Sequence, residues 1–238
     1  RVPSLEAEDA RHLHRELTTV KRDRARLTHR IQGLAATQGV RIEVRGGFLE
    51  RLREIKLWDG SELPPGLRAR LERAWEQREW LTARIRDLEA KRRELLRTSE
   101  ADNVEQVRQL MLLDGIGDNS AWVFVTEFFG WRGFKNRRQV GSLAGVTPTG
   151  YQSGTTNHQQ GISKAGNRHV RSMVVQVAWG WLRHQPDSEL SHWYNEKYGW
   201  GSSRMKKIGI IALSRRLLIE LWRYLETGAI PEGATTNV

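Results

Sequence analysis

Cysteine is absent from the 238-residue chain, which excludes disulfides, thiolate metal sites, iron–sulfur clusters and cysteine nucleophiles in one step. No stretch approaches the roughly 18 uncharged apolar residues that a membrane span requires. No signal-peptide pattern opens the chain either, so a cytoplasmic protein with no membrane partner is expected. Metal-ligand spacing is missing among the histidines: His12 and His14 sit two apart in a charged stretch, and His158, His169, His184 and His192 are scattered. Carboxylates are few in the second half, chiefly Asp114, Asp118, Glu127, Asp187, Glu189 and Glu196. They form no Asp-x-Asp or Asp-x-x-Asp pair, so no two-metal site is evident and no metal ligand is assigned. The chain opens at Arg1, with its methionines at Met111, Met173 and Met205. It therefore reads as a segment whose natural start lies elsewhere.

What is abundant is positive charge. Lys and Arg number 39 against 28 Asp and Glu, a net charge of +11, and the pI is near 10.5. A polyanion is the first partner to consider. Apolar residues at 38% and a mean hydropathy of −0.61 describe long solvated helical faces around an ordinary core.

Two textures divide the chain. Up to residue 98 the composition is that of long charged helices. Leu13, Leu17, Val20, Leu27, Ile31 and Leu34 recur in alternating steps of four and three, with Arg24 at the one position lacking an apolar residue. Leu67, Leu71, Ala74, Leu81, Ile85, Leu88 and Leu95 make a second seam, interrupted at Arg78 and Arg92. Both are heptad seams. Gly39, Gly46, Gly47, Gly60 and Pro64-Pro65 punctuate the segment between, around a shorter helix near Phe48 to Leu57. The pattern suits an antiparallel hairpin packing on itself or an intermolecular coiled coil serving as a dimerisation stalk.

Residues 99–228 read as a compact helical domain, and 229–238 as a loose tail. Helices are expected over Val104–Leu113, Asn119–Phe129 and Arg132–Ala144. A polar loop follows from Gly145 to Gly161, and Ser163 caps a helix through Val170, Val174, Val177, Ala178, Trp181 and Leu182. The last helix covers roughly Lys206 to Leu225. The fold class is mainly α.

Three features of this domain carry chemistry. The turn Leu112-Leu113-Asp114-Gly115-Ile116-Gly117 between two helices has a helix-hairpin-helix signature. Gly115 and Gly117 would let the backbone approach a phosphate, and the N–H groups opening the next helix would face the anion. An ordinary tight turn with a capping glycine is the alternative. Basic residues cluster at Lys135, Arg137 and Arg138, at Lys164, Arg168 and Arg171, and at Arg204, Lys206, Lys207, Arg215 and Arg216. Each cluster alone suits a solvated face, whereas together they suit a nucleic-acid groove. Of the ten tryptophans, those in the domain are expected to be mostly core, with one or two free to stack on bases. The loop Pro148–Thr156 places Ser153 between glycines on mobile backbone. A serine hydroxyl attacks phosphorus only when deprotonated beside a charge-screened phosphate. By itself such a residue is ordinarily just a loop serine.

Gly115-Ile116-Gly117, Leu143-Ala144-Gly145-Val146-Thr147-Pro148, Tyr151-Gln152-Ser153-Gly154 and Ile162-Ser163-Lys164-Ala165-Gly166-Asn167-Arg168 taken together resemble a known family. It is the C-terminal transposase domain of the bacterial insertion-sequence transposases of family one-hundred-and-ten, the bridge-RNA-guided, serine-dependent DNA recombinases. The match spans roughly Leu110 to Leu225, and the charged segment before it resembles the family's central coiled coil. The resemblance implies Ser153, in the Tyr-x-Ser-Gly motif, as the nucleophile that joins a DNA 5′ phosphate. It implies Tyr151 and Asn167 among the DNA- and RNA-binding positions. Further implications are Mg2+ held by four carboxylates of an N-terminal RNase H-type domain absent from this chain, double-stranded DNA and a structured guide RNA as partners, and a homodimer or homotetramer. On this reading the chain alone is inactive and its complete form is a transposase. Two alternatives remain: a non-catalytic nucleic-acid-binding and dimerisation remnant, and a structure-selective repair or junction protein, which would leave the Ser153 motif unexplained.

Overall fold

The computed structural model describes residues 2–153 and 156–237, without the side chains of 150–160. Two compact units are formed, His12–Leu95 and Arg1–Arg11 with Leu96–Val238. Among the described residues the architecture is mainly helical, with a single two-stranded sheet.

The first unit is built on two long helices, α1 (Leu5–Ala36) and α3 (Pro65–Thr98), linked through the short α2 (Phe48–Glu54). Lys21 pairs with Glu89 and Arg84 with Glu16, each at 2.7 Å. The Arg78 Nε donates to Thr28 Oγ1 at 3.2 Å. Rising positions on α1 thus meet falling positions on α3, and an antiparallel hairpin forms within one chain. Its seam follows the heptads: Leu17, Leu27, Ile31, Leu71, Ala74, Ile85 and Leu88 are buried. The arginines that interrupt the pattern are accommodated individually. Arg78 lies over the Trp75 ring at 4.9 Å, and Arg92, only 3% exposed, has Nη1 3.4 Å from His14 Nδ1. Leu95 departs from the expected seam and is exposed. At the connecting end, Phe48 stacks on Trp75 with ring centroids 4.7 Å apart, over buried Leu52 and Leu63.

The second unit packs α4 (Asp102–Met111), α5 (Asp118–Phe124), α6 (Arg137–Ala144), α7 (Arg168–His184), α8 (Glu189–Tyr194) and α9 (Ser203–Thr227) around one apolar core. Single π-helical segments follow α5 and α8, at Val125–Phe129 and Asn195–Gly199. On α7 the stripe Val170, Val174, Val177, Ala178 and Trp181 is buried as its helical spacing requires. Trp122 and Trp181 are core, Trp193 and Trp222 are half-buried, and Trp179 and Trp200 are exposed.

Several boundaries differ from the sequence reading. α6 begins at Arg137, because Asn136 caps it by accepting from the N–H groups of Arg138 and Gln139. Ser163 does not cap α7: Asn167 does, accepting from His169 and Val170. The polar segment 145–161 is largely a β-hairpin, β1 (Pro148–Ser153) against β2 (Thr156–Ile162). The segment after α9, expected to be loose, is tied down. Thr236 bridges Leu113, the Asn237 N–H donates to the Leu112 carbonyl and the Glu189 N–H to that of Glu232.

One buried side chain adds to these backbone contacts. Gln185, 1% exposed, donates to the carbonyls of Asp114 (3.0 Å) and Thr235 (2.8 Å) and accepts from the Thr235 N–H (2.7 Å). Replacing it with alanine removes the side-chain partner of the Asp114 carbonyl and of the Thr235 N–H, while the Thr235 carbonyl keeps the Asp114 N–H, at a cost of about 1–3 kcal/mol. Gln185→Ala is expected to lower the denaturant midpoint and to raise amide exchange at 232–237. Unchanged exchange there would show that the tail is held by other contacts.

Candidate nucleic-acid interface

The ribbon that carries Ser153 grows from a rigid base. α6 ends at Gly145, in the left-handed region with φ 70°. From there the chain is fastened to the segment before α7. Thr147 accepts from the Ser163 N–H (2.9 Å), Gly145 from that of Lys164 (3.2 Å) and Leu143 from that of Asn167 (3.1 Å). Arg171 closes this base, its Nη1 donating to the carbonyls of Lys164 (3.1 Å) and Ala144 (3.4 Å). Gly166 lies so close that a Cβ there would stand 2.3 Å from the Leu143 carbonyl oxygen. Asn167 also donates through Nδ2 to the backbone carbonyl and to Oε2 of Glu127, both at 3.2 Å.

Above this base, Pro148 pairs with Ile162, the register shifts once, and the ladder runs from Thr149↔Gln160 through Tyr151↔His158 to Ser153↔Thr156. Ser153 is therefore the last paired position of β1, at the end far from the helices. It stands at a strand end and not within the irregular loop that its glycine neighbours suggested. Gly154 of the Tyr-x-Ser-Gly motif lies outside the described residues. Five strand steps separate Ser153 from the base, roughly 16 Å of ribbon. The base and the tip are therefore well separated along the ribbon.

The expected binding residues fall into two groups. Lys135, Arg137 and Arg138 are exposed where α6 begins, and Lys164 and Arg168 are exposed beside the hairpin base. Arg171 and Asn167 are engaged in holding that base together, so the three cations 164, 168 and 171 do not share one helical face: Lys164 precedes α7 in the loop. Arg204, Lys206 and Lys207 are exposed on the first turns of α9, next to Trp200, which is 97% exposed. Arg216 lies over the Trp193 ring at 4.2 Å, and Arg215 packs beside Gly141. In the turn between α4 and α5, Gly115 has φ 85° and its absent Cβ would stand 3.1 Å from His184 Cβ. Its conformation and the close packing of the turn account for glycine there. Gly117 faces open space.

Glu127, one of the few carboxylates of the second half, is given no role by its spacing in the sequence. It is 3% exposed within the π-helical segment, surrounded in sequence by Val125, Thr126, Phe128 and Phe129. A lone carboxylate inside an apolar run is the signal that could have marked it. Nearby, Arg11 and Arg132 lie over Trp131 at 4.4 and 4.2 Å, and Arg11 Nε donates to the Thr126 carbonyl at 3.0 Å. Burial, then the charge of Arg11, pulls the Arg132 guanidinium below its ordinary range, and Glu127 opposes that pull. Among the described residues no three His, Asp or Glu side chains converge as a metal site.

Lys164 is the one described non-glycine residue in the left-handed region, with φ 54°. An L-residue there costs about 1–2 kcal/mol, and the hydrogen bonds on both sides hold it in place. Lys164→Gly is therefore expected to leave the melting temperature unchanged or to raise it. Gly166→Ala is expected to destabilise by about 2–3 kcal/mol, because a carbonyl must move. Thermal unfolding of the two variants checks both signs, and a Lys164→Gly protein that melts well below the parent would contradict this account of the loop.

Residues 107–192 match the model of the Transposase IS116/IS110/IS902 family. Over 98% of its length the chain is 40% identical to the putative transposase y4rJ of Sinorhizobium fredii, covering 61% of that protein. It is 24% identical, over 92% of its length, to the transposase for insertion sequence element IS1328 of Yersinia enterocolitica, covering 63% of it. A probable family 20 transposase of Pseudomonas aeruginosa is likewise 24% identical, with 65% covered. The chain thus spans a little over three fifths of the length of these relatives. Over residues 107–192 the chain is thus similar to the IS116/IS110/IS902 transposases, and that stretch contains the hairpin and its base.

Proposed function

We propose that the chain is the DNA-handling and serine-bearing portion of a transposase, and that Ser153 is the nucleophile of strand cleavage. The observation that carries the reading is the position of Ser153 as the terminal pair of a ribbon with a fixed base. A group so placed can enter a duplex groove while the helices stay outside it. In the reaction, the Ser153 hydroxyl gives up its proton as Oγ forms a bond to the phosphorus of a phosphodiester, the bond from phosphorus to the 3′ oxygen breaks, and the departing 3′ oxygen takes up a proton, so that no net proton is gained or lost. The 5′ phosphate stays on the serine until a free 3′ hydroxyl reverses the exchange on another strand. Exposed Lys135, Arg137 and Arg138 at α6, Lys164 and Arg168 at the hairpin base, and Arg204, Lys206 and Lys207 beside Trp200 supply sequence-independent grip on the backbone. Gly117 and Tyr151 are assigned to the same contact. Arg171 and Asn167 contribute by positioning the hairpin. The divalent ion belongs to the part of the relatives' length that this chain does not cover, and a structured guide RNA and a dimeric or tetrameric assembly complete the proposal.

In the complete transposase, Ser153→Ala is expected to abolish strand cleavage while duplex affinity stays within about twofold. Removing Lys135, Arg137 and Arg138 together is expected to weaken binding across sequences and to flatten its salt dependence by up to about one unit per lost phosphate contact. Cleavage by Ser153→Ala at the parental rate would overturn the assignment of the nucleophile. A salt dependence untouched by the triple change would remove α6 from the interface.

A further inference from the structure

The helical hairpin of the first unit holds a cleft that the reading above does not use. Arg30 and Leu34 of α1 and Arg70, Arg73, Ala74 and Gln77 of α3 line a volume of about 280 Å³. Ala74 is buried and Leu34 half-buried, forming the floor, while the three guanidinium groups and the Gln77 amide are exposed around the rim. The arginines fall at helical spacings, so α3 presents Arg70 and Arg73 one turn apart and α1 presents Arg30 from across the seam. No acidic side chain lines the cleft, and none of the three makes an ion pair among the described residues.

Some other basic residues of the same helices do have acidic partners. Arg84 is paired with Glu16, Lys21 with Glu89 and Arg26 with Asp23. Three like charges gathered without a counter-charge repel one another and destabilise the compact state slightly. A bound anion would reverse that sign. Guanidinium forks suit bidentate contact with phosphate oxygens, and an amide on the same rim can donate beside them.

We propose that this cleft is a second nucleic-acid contact, separate from the serine-bearing domain, which holds the phosphodiester backbone of a duplex or a folded strand. The proposal rests on the nucleic-acid binding inferred above and adds to it a surface in the other unit. Its ligand is phosphodiester backbone, met by the three guanidinium charges at the rim.

The test is equilibrium binding by the full chain of two probes, a double-stranded DNA and an RNA hairpin of arbitrary sequence, across a salt series. The variant is Arg30→Gln, Arg70→Gln and Arg73→Gln together. Arg84→Gln serves as the control, because it removes a charge of the same kind from the same hairpin but one already paired. The cleft variant is expected to lose about 10- to 100-fold in affinity for at least one probe, with a salt slope flatter by about two to three units, and to melt no lower than the parent. The probe that shows the loss identifies the source of the backbone. A cleft variant that behaves like Arg84→Gln toward both probes overturns the proposal. If the Lys135, Arg137 and Arg138 variant still loses binding in that case, the function proposed for the other unit stands. A parent chain that binds neither probe would overturn both. Replacing the three arginines with lysine instead should retain the salt slope and lose part of the affinity, and full loss with lysine would point to a packing role.

Discussion

The contact on which the candidate site depends is the approach of Gly166 to the Leu143 carbonyl, a space in which no Cβ fits. Because the chains come this close, the Asn167 N–H reaches Leu143, its Oδ1 caps α7 and its Nδ2 reaches Glu127. One residue, through its backbone N–H and its side-chain amide, thereby joins the end of α6, the start of α7 and the π-helical segment after α5. The two hairpin strands leave this junction at Pro148 and Ile162 with their spacing already set. Glu127 is the deep end of the arrangement, a buried carboxylate whose amide partner offsets part of its desolvation cost. A precise base and an extended tip follow from the same few hydrogen bonds.

Much of the helical framework was legible in the sequence. The stripe from Val170 to Trp181 and the seams through Leu17, Ile31, Leu71 and Leu88 are buried as their spacing demands, since apolar periodicity reports directly which face must leave water. The hairpin was not legible. Its strands, Pro-Thr-Gly-Tyr-Gln-Ser and Thr-Asn-His-Gln-Gln-Gly-Ile, lack the alternating apolar residues by which strands are recognised, and their register is fixed from the base. Ser163 and Asn167 are both good capping residues, and only the left-handed turn at Lys164 decides between them. The docked tail was hidden for a similar reason, being tied by backbone groups and by Gln185, whose burial no local pattern announces.

The basic residues show why a count of charge is a weaker guide than its placement. Arg171 braces two carbonyls, Arg92 lies buried beside His14, and Arg11 and Arg132 stack on Trp131. These cations serve the fold. Lys135, Arg137, Arg138, Lys164, Arg168, Arg204, Lys206 and Lys207 stand exposed in the domain that carries the ribbon, and Arg30, Arg70 and Arg73 ring a cleft in the hairpin unit. The exposed set is the one with surface left to offer a phosphate backbone.

The central claim is that the ribbon delivers Ser153 to a DNA phosphate, and its most direct test is the location of the covalent product. Complete transposase incubated with its DNA would be denatured, digested with nuclease and protease, and the nucleotide-bearing peptide identified by mass spectrometry. The account predicts a 5′-phosphonucleotide on the peptide containing Ser153 and none on the Ser153→Ala protein. A nucleotide attached to any other residue, or efficient strand exchange with no covalent intermediate, would contradict it.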